Sequence, residues 1–251
     1  EVPGRRRLFE YDTVDGEPHE VVAKCINPYL VDAVETILPS RRQPVSSVPP
    51  IVFGSMPNDG GHLLLSDEDK RELLKQEPAA GKWIRPFIGA DEFINRIPRW
   101  CLWLKDCPAA ELKSMPLVAE HVAAVKNHRL ASTRPTTKAL AAIPTLFGEV
   151  RQPRGSYILF PRHSSERRQF VPIGFFGPDV VVGDSNLCVP DATPYHFGVL
   201  TSTMHNAWVR YVAGRLKSDY RYSAQIVYNN FPWPSAPTAN QTAAIEVAAQ
   251  A

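Results

Sequence analysis

The segment Gly214–Pro234, GRLKSDYRYSAQIVYNNFPWP, carries more structural information than any other part of this chain. Three charged residues in it, Lys217, Asp219 and Arg221, are two positions apart, lie among aromatic residues and precede a turn rich in Pro and Trp. Because side chains alternate between the two faces of an extended strand, the three charged groups are predicted to share one face. A row of cation, anion and cation makes a poor core face, so we predict an exposed strand that presents hydrogen-bond donors and acceptors.

The composition is that of an ordinary globular protein with a local excess of positive charge. The 251 residues are 44% hydrophobic and carry a formal net charge of only +2, and this length allows one large domain or one domain with a smaller companion. Between Lys126 and Arg168, however, nine Lys and Arg residues accompany two acidic residues. Such a basic stripe on an otherwise balanced chain is typical of a site for a polyanion.

The cysteines and the apolar runs exclude several other classes of protein. The four cysteines form no CxxC pair, so we expect reduced thiols and no metal site. No apolar run approaches the roughly 18 residues that a membrane-spanning helix needs, and the N-terminus lacks the apolar core of a signal peptide. We therefore expect a soluble, cytoplasmic chain with no membrane partner and, since it begins without Met, one cut from a longer polypeptide.

The spacing of apolar residues, Pro and Gly predicts an α+β fold with few long helices. Ser66 precedes three acidic residues and is predicted to cap a helix that ends near Gln76. Pro116 is predicted to open the second of two helices in residues 108–128, and residues 195–216 are predicted to form one amphipathic helix. The other predicted elements are a hairpin in residues 1–26, strands in residues 45–53, 99–104, 157–160, 170–176 and 179–189, and a helix from residue 239 onward.

Several segments, in order along the chain, resemble one protein family. The chain resembles the C-terminal portion of MmeI-like enzymes, which are type IIL restriction-modification proteins of bacteria. The segments that carry the resemblance are INPYLVDA (Ile26–Ala33), GSMPNDGGHLLLSDEDK (Gly54–Lys70), RWCLWL (Arg99–Leu104), MPLVAEHVAAVKNHRLAS (Met115–Ser132), PTLFGEVRQP (Pro144–Pro153), SSERRQFVPIGF (Ser164–Phe175) and YHFGVLTSTMHNAWVR (Tyr195–Arg210).

The resemblance implies a division of the chain near Ala192. Residues 1–192 would form a sheet-rich, mixed DNA target recognition domain, with residues 1–26 as a hairpin or linker from a preceding methyltransferase domain. Residues 193–251 would form the truncated start of a smaller, helical C-terminal domain. The partners implied are double-stranded DNA and the methyltransferase domain of the same polypeptide.

The resemblance also implies that this chain binds DNA and does not catalyse. In the family, an adenine-N6 methyltransferase domain that uses S-adenosylmethionine, and a nuclease domain, precede the part seen here. Asn27-Pro28-Tyr29 lacks the second proline of the motif that holds the target amino group, and no Gly-rich cofactor loop precedes it. We therefore expect no catalytic residue, no metal and no cofactor in this fragment, and expect the intact parent to be a site-specific adenine methyltransferase.

Major-groove chemistry gives the charged row a function. A cation donates to guanine O6 and N7, and a carboxylate accepts from cytosine N4 of the same base pair. The resemblance implies that Lys217 and Asp219 set the base next to the methylated adenine, and that their basic-then-acidic order suits a G there. Arg221 is a candidate for the neighbouring base pair, together with Ser185 or Asn186.

The basic stripe would hold phosphates and fix the register on DNA without reading sequence. The residues predicted to contact phosphates are Arg129, Arg134, Lys138, Arg151, Arg154, Arg162, Arg167, Arg168 and Arg215.

Three alternatives remain open. The charged row is also compatible with a solvated strand that forms a cross-strand ion pair. The basic face is compatible with a module that docks a protein or another domain of its own polypeptide, without sequence preference of its own. Residues 183–187, GDSNL, resemble the serine motif of a hydrolase family, but Asp191 and His196 have the wrong spacing for its Asp-x-x-His pair.

Overall fold

A computed structural model describes residues 6–13 and 15–250 and shows short strands and helices. The strands are β1 (Arg6–Tyr11), β2 (Pro18–Ala23), β3 (Val52–Phe53), β4 (Leu64–Leu65), β5 (Ile84–Ile88), β6 (Trp100–Leu102), β7 (Tyr157–Pro161), β8 (His163–Ser164), β9 (Gly174–Phe176), β10 (Val181–Val182), β11 (Asn186–Pro190), β12 (Gly214–Leu216) and β13 (Asp219–Arg221). The α-helices are α1 (Asp67–Gln76), α2 (Ala90–Asn95), α3 (Ala109–Lys113), α4 (Pro116–Ala131), α5 (Pro135–Ala139), α6 (Pro194–Thr201), α7 (Thr203–Val212) and α8 (Ala239–Gln250).

The α+β class predicted from the sequence is confirmed. Local signals located several elements correctly. Ser66 caps α1 in a capping box with Asp69, and Pro116 is the first residue of α4. None of the helices in the described part of the chain is both long and apolar enough to cross a bilayer.

The chain divides into two compact units, each made of more than one segment of the sequence. No single boundary near Ala192 separates them. One unit combines the N-terminal segment up to Val48 with His163–Val171 and Pro194–Ala251. The other contains Pro49–Arg162 and Pro172–Thr193. We call them the hairpin unit and the central unit. The functional boundary drawn from the resemblance stays a prediction.

The central unit contains two four-stranded sheets. One has the order β10-β5-β6-β4 and the other the order β3-β11-β7-β9. The first sheet packs with α1 and α4 around a core of fully buried residues such as Leu102, Met115 and Val118. In the second sheet every residue of β7 is buried, and this strand pairs with β11 on one side and β9 on the other.

A buried guanidinium connects three segments of the central unit. Arg129, in the last turn of α4, is fully buried and its five N–H groups donate to five main-chain carbonyl oxygens. The acceptors are Pro57, Asn58, Leu140, Ile143 and Leu146, at 2.7–3.0 Å. Burial lowers the pKa of Arg129 below its ordinary value, whereas the charge of Asp59 acts in the opposite direction. The predicted phosphate contact of Arg129 is therefore wrong, since a phosphate finds no exposed donor there.

The hairpin unit contains the antiparallel pair β1–β2 and a three-stranded sheet of order β12-β13-β8. Its core is aromatic: Phe231 lies edge-on to His205 and Trp233 at 4.9 and 5.7 Å between ring centroids. Asn230 is buried and donates to the carbonyl oxygens of Pro39, Gln225 and Ile226. The Asn230 side chain thus links the N-terminal segment at Pro39 to the residues that precede the turn.

The single amphipathic helix predicted for residues 195–216 is wrong. The helix breaks at Ser202, whose hydroxyl accepts from the N–H of His205 and starts α7. The spacing of one continuous helix would put Met204 and Tyr211 on the same apolar face as Leu200. The break changes the helical phase, and Met204 and Tyr211 are 69% and 57% exposed. His205 is fully buried instead.

Replacing Arg129 by Lys is expected to lower the free energy of unfolding by about 3–5 kcal/mol, because a buried charge remains and most of the five carbonyl oxygens lose their donor. Urea unfolding followed by tryptophan fluorescence measures the change. Arg134→Lys, at an exposed arginine nearby, is the control and should alter stability by less than about 0.5 kcal/mol. Equal effects of the two substitutions would contradict the role given to Arg129.

Candidate nucleic-acid interface

The predicted base-reading segment forms a hairpin on which a third strand packs. Gly214 pairs with Arg221, and Leu216 pairs with Asp219, which leaves a two-residue loop of Lys217 and Ser218. Strand β8 pairs with the other edge of β13. We call β12, β13 and β8 together the recognition sheet.

The central strand of the recognition sheet alternates between core and solvent. Tyr220 is buried, whereas Asp219 and Arg221 on either side of it are exposed. The prediction that Asp219 and Arg221 share an exposed face is therefore confirmed. On the other face the guanidinium of Arg215 lies 3.9 Å from the centre of the Tyr220 ring.

Lys217 differs from the prediction because it does not lie in the strand. It occupies the first position of the two-residue loop and has a positive φ of 57°. Tight hairpin loops require such backbone angles, and residues with a Cβ adopt them at an energetic cost. Lys217 is thus exposed at the hairpin tip, and the prediction of one straight row of three charges is wrong. Its contact with a base stays a prediction.

The carboxylate of Asp219 is oriented by a main-chain contact. Its Oδ1 accepts from the N–H of Glu166 at 3.3 Å. The side chain of Glu166 in turn lies 3.9 Å from Arg215. No ion pair among the described residues involves Lys217, Asp219 or Arg221, so the alternative of a cross-strand ion pair within this row receives no support.

Ser185 and Asn186 lie in the central unit, where they bind the junction between β5 and α2. The Ser185 hydroxyl accepts from the N–H of Ala90 at 2.8 Å, and so caps a helix whose own N-cap, Gly89, has no side chain. Asn186 is fully buried and its Nδ2 donates to the carbonyl oxygen of Ile88. The base-reading assignment of Asn186 is therefore wrong, because its amide is enclosed by the protein. Ser185 is exposed, and its assignment stays a prediction.

The remaining predicted phosphate contacts fall in both compact units. Arg167, Arg168 and Arg215 belong to the hairpin unit, and the other five belong to the central unit. Four of these cations are exposed and form no ion pair within the described part of the chain: Arg134, Lys138, Arg154 and Arg168. Their phosphate contacts stay predictions.

Three of the predicted phosphate contacts have an acidic neighbour in the protein itself. Arg151 forms an ion pair with Glu149, Arg167 lies 3.8 Å from Asp15, and Arg215 lies 3.9 Å from Glu166. Arg162 instead lies 5.0 Å from the ring centre of the exposed Phe53. The three ion pairs are at or near the surface, where an ion pair contributes little to stability, and the phosphate contacts of all four arginines stay predictions.

The recognition sheet contains an exposed histidine that the sequence did not indicate. His163 pairs with Arg221 across β8 and β13 and is exposed, whereas its neighbour Ser164 is buried beside Tyr220. A two-residue strand has no detectable periodicity, so nothing in the sequence placed His163 on this face.

Comparison with known proteins identifies the family. The model of the family described as MmeI, target recognition domain, matches residues 32–235. The chain belongs to this family. The resemblance found in the sequence segments is therefore confirmed, and so is the expectation that the chain is a recognition domain.

Two known proteins show how this recognition domain relates to longer chains. DNA methyltransferase A of Bacillus subtilis (strain 168) is 41% identical over 213 residues, which are 85% of this chain and 24% of the relative. The solved structure of the type IIL restriction-modification enzyme MmeI in complex with DNA is 45% identical, with a TM-score of 0.90 over 98% of this chain and 33% of that one. The chain thus spans about a quarter of the first relative and a third of the second.

A buried histidine contacts the residue that follows the central strand of the recognition sheet. His205 Nε2 lies 3.0 Å from the hydroxyl of Tyr222, which directly follows β13, and its Nδ1 lies 2.7 Å from the carbonyl oxygen of Leu200. Burial lowers the pKa of His205 to about 4. The imidazole is therefore neutral at pH 7.

Stability is expected to fall as the pH drops from about 6.5 to about 4. The unfolded chain binds a proton at His205 in this range and the folded chain does not, so up to about 3 kcal/mol of unfolding free energy is lost. Burial also lowers the pKa of His196, which adds to the same slope. Urea unfolding at several pH values should show a shallower slope for His205→Gln than for the exposed control His19→Gln. An unchanged slope in His205→Gln would contradict this account.

Lys217→Gly is expected to stabilise the recognition domain by about 0.5–1 kcal/mol, because Gly adopts a positive φ without steric cost. Thermal unfolding provides the measurement. Ser218→Gly is the matched control, since the positive φ falls on Lys217 and not on Ser218, and it should give no stabilisation. If both substitutions destabilise equally, the backbone strain assigned to position 217 is absent.

Proposed function

We propose that this recognition domain reads base edges in the major groove of double-stranded DNA with the exposed face of its recognition sheet. The observation that carries the proposal is the pair Asp219 and Arg221, an acceptor and a donor held outward on one strand by the burial of Tyr220. The solved structure of the relative MmeI, which is a complex with DNA, supports the choice of ligand.

A cation beside a carboxylate matches the donor and acceptor pattern of a G·C base pair. A guanidinium donates to both O6 and N7 of guanine, and a carboxylate accepts from N4 of cytosine. On one strand face, Asp219 and Arg221 lie about 7 Å apart along the chain, so Arg221 is assigned to the base pair next to the one that Asp219 contacts. The Lys217 ammonium, at the hairpin tip next to Asp219, adds a donor on a flexible stem.

We further propose that the parent polypeptide methylates adenine at N6 with S-adenosylmethionine bound outside this chain, and that it acts in the bacterial cytoplasm. The DNA methyltransferase relative supports this reading by its name. In the proposed site, Lys217 and Asp219 together select a G after the methylated adenine. The exposed cations, in each unit separately, would hold phosphates, so that binding weakens with salt by a slope of roughly −0.9 per phosphate neutralised.

The decisive experiment exchanges the charges of the proposed pair. In the full-length polypeptide, Lys217→Glu with Asp219→Arg should change the methylated sequence at one base pair from G to C, because the order of donor and acceptor is reversed. A matched contact contributes about 1–3 kcal/mol of discrimination, so the preference at that base pair should shift by roughly fivefold to 150-fold. Modification-sensitive sequencing of DNA from expressing cells identifies both the motif and the modified base.

The control exchanges charges elsewhere on the hairpin unit. Arg7→Glu with Glu20→Arg reverses an exposed pair that lies 3.6 Å apart on β1 and β2, and should leave the methylated sequence unchanged. If the Lys217 and Asp219 exchange leaves the motif intact as well, the base assignment is wrong. If the chain binds a protein in a salt-dependent way but shows no preference among duplexes, the docking alternative is favoured.

A further inference from the structure

His163 occupies the position beside Arg221 on the exposed face of the recognition sheet. The two residues are direct partners in the register of β13 and β8. Side chains of such partners have Cβ atoms about 4.5–5.5 Å apart. The base pairs of DNA follow one another at about 3.4 Å, so the two side chains are within reach of neighbouring base pairs.

The opposite flank of Arg221 carries no side chain. Arg221 pairs on that side with Gly214, and a Cβ added to Gly214 would lie 4.0 Å from the Cβ of Arg221. The polar side chain next to Arg221 across the strands is therefore that of His163. Ser164, buried next to Tyr220, fixes the face on which His163 emerges.

The chemistry of an imidazole defines what His163 selects. A neutral imidazole has one N–H donor and one acceptor nitrogen. In the major groove, adenine and guanine both present the N7 acceptor, and the pyrimidines present none at that place. An imidazole N–H therefore favours a purine over a pyrimidine without separating adenine from guanine.

We propose that His163 is a further specificity-determining residue, which donates to the N7 of a purine in the base pair adjacent to the one that Arg221 contacts. This inference rests on the proposed function, because it requires the recognition sheet to lie in the major groove. It predicts a position in the recognition sequence at which both purines are accepted, or at which a purine is selected jointly with another group.

The test is the substitution His163→Ala in the full-length polypeptide, followed by modification-sensitive sequencing of genomic DNA from expressing cells. The preference for a purine over a pyrimidine at one position should fall by about tenfold or more, in line with the loss of one base contact. The position read by Arg221 should stay the same. His163→Gln keeps an N–H donor and should retain part of the purine preference.

Two further variants separate the possible failures. His19→Ala changes an exposed histidine of the β1–β2 hairpin and should leave the motif unchanged. Arg221→Ala tests the sheet itself: if it also leaves the motif unchanged, the proposed function of this face fails. If Arg221→Ala relaxes one position while His163→Ala leaves the motif intact, or lowers methylation of all sequences alike, the role of His163 is overturned and that of the sheet remains.

Discussion

The burial of Tyr220 is the constraint on which the proposed interface depends. Its ring packs on the inner face of the recognition sheet under the guanidinium of Arg215, and the alternation of a strand then directs the residues before and after it to solvent. The exposure of Asp219 and Arg221 is thus a consequence of core packing. Base-contacting side chains on a paired strand are positioned more precisely than those on a loop. Base recognition benefits from this, because it depends on hydrogen-bond geometry.

Charge in this chain serves two different purposes that a sequence does not separate. Arg129 and Arg134 lie five positions apart in the same basic stripe, yet the first is enclosed by five main-chain carbonyl oxygens and the second is exposed. An arginine at the C-terminal end of a helix is well placed to collect carbonyl oxygens from the loops that follow. Tertiary contacts decide whether an arginine is buried against carbonyl oxygens or exposed to a phosphate. The composition of the basic stripe therefore does not distinguish the two cases.

The features that followed from local chemistry were predicted well. The capping box at Ser66, the helix opened by Pro116 and the outward pair of Asp219 and Arg221 each depend on residues within a few positions. Predictions that needed tertiary context failed. The burial of Asn186 against Ile88 and the presence of His163 on the recognition sheet depend on partners distant in sequence or on a strand too short to show a period. The break at Ser202 was missed although its cap on His205 is local, because the helical spacing of apolar residues continues across it.

The backbone at position 217 limits how this family member can evolve. At the exposed strand positions Asp219 and Arg221 the extended backbone does not restrict the choice of side chain in this way. At Lys217 the positive φ favours Gly, Asn and Asp over β-branched and bulky residues. An acidic replacement at the hairpin tip is therefore more accessible as Asp than as Glu. Fewer residue types therefore fit position 217 than positions 219 and 221. Changes of recognition sequence during evolution should involve substitutions on the strand more often than substitutions at the hairpin tip.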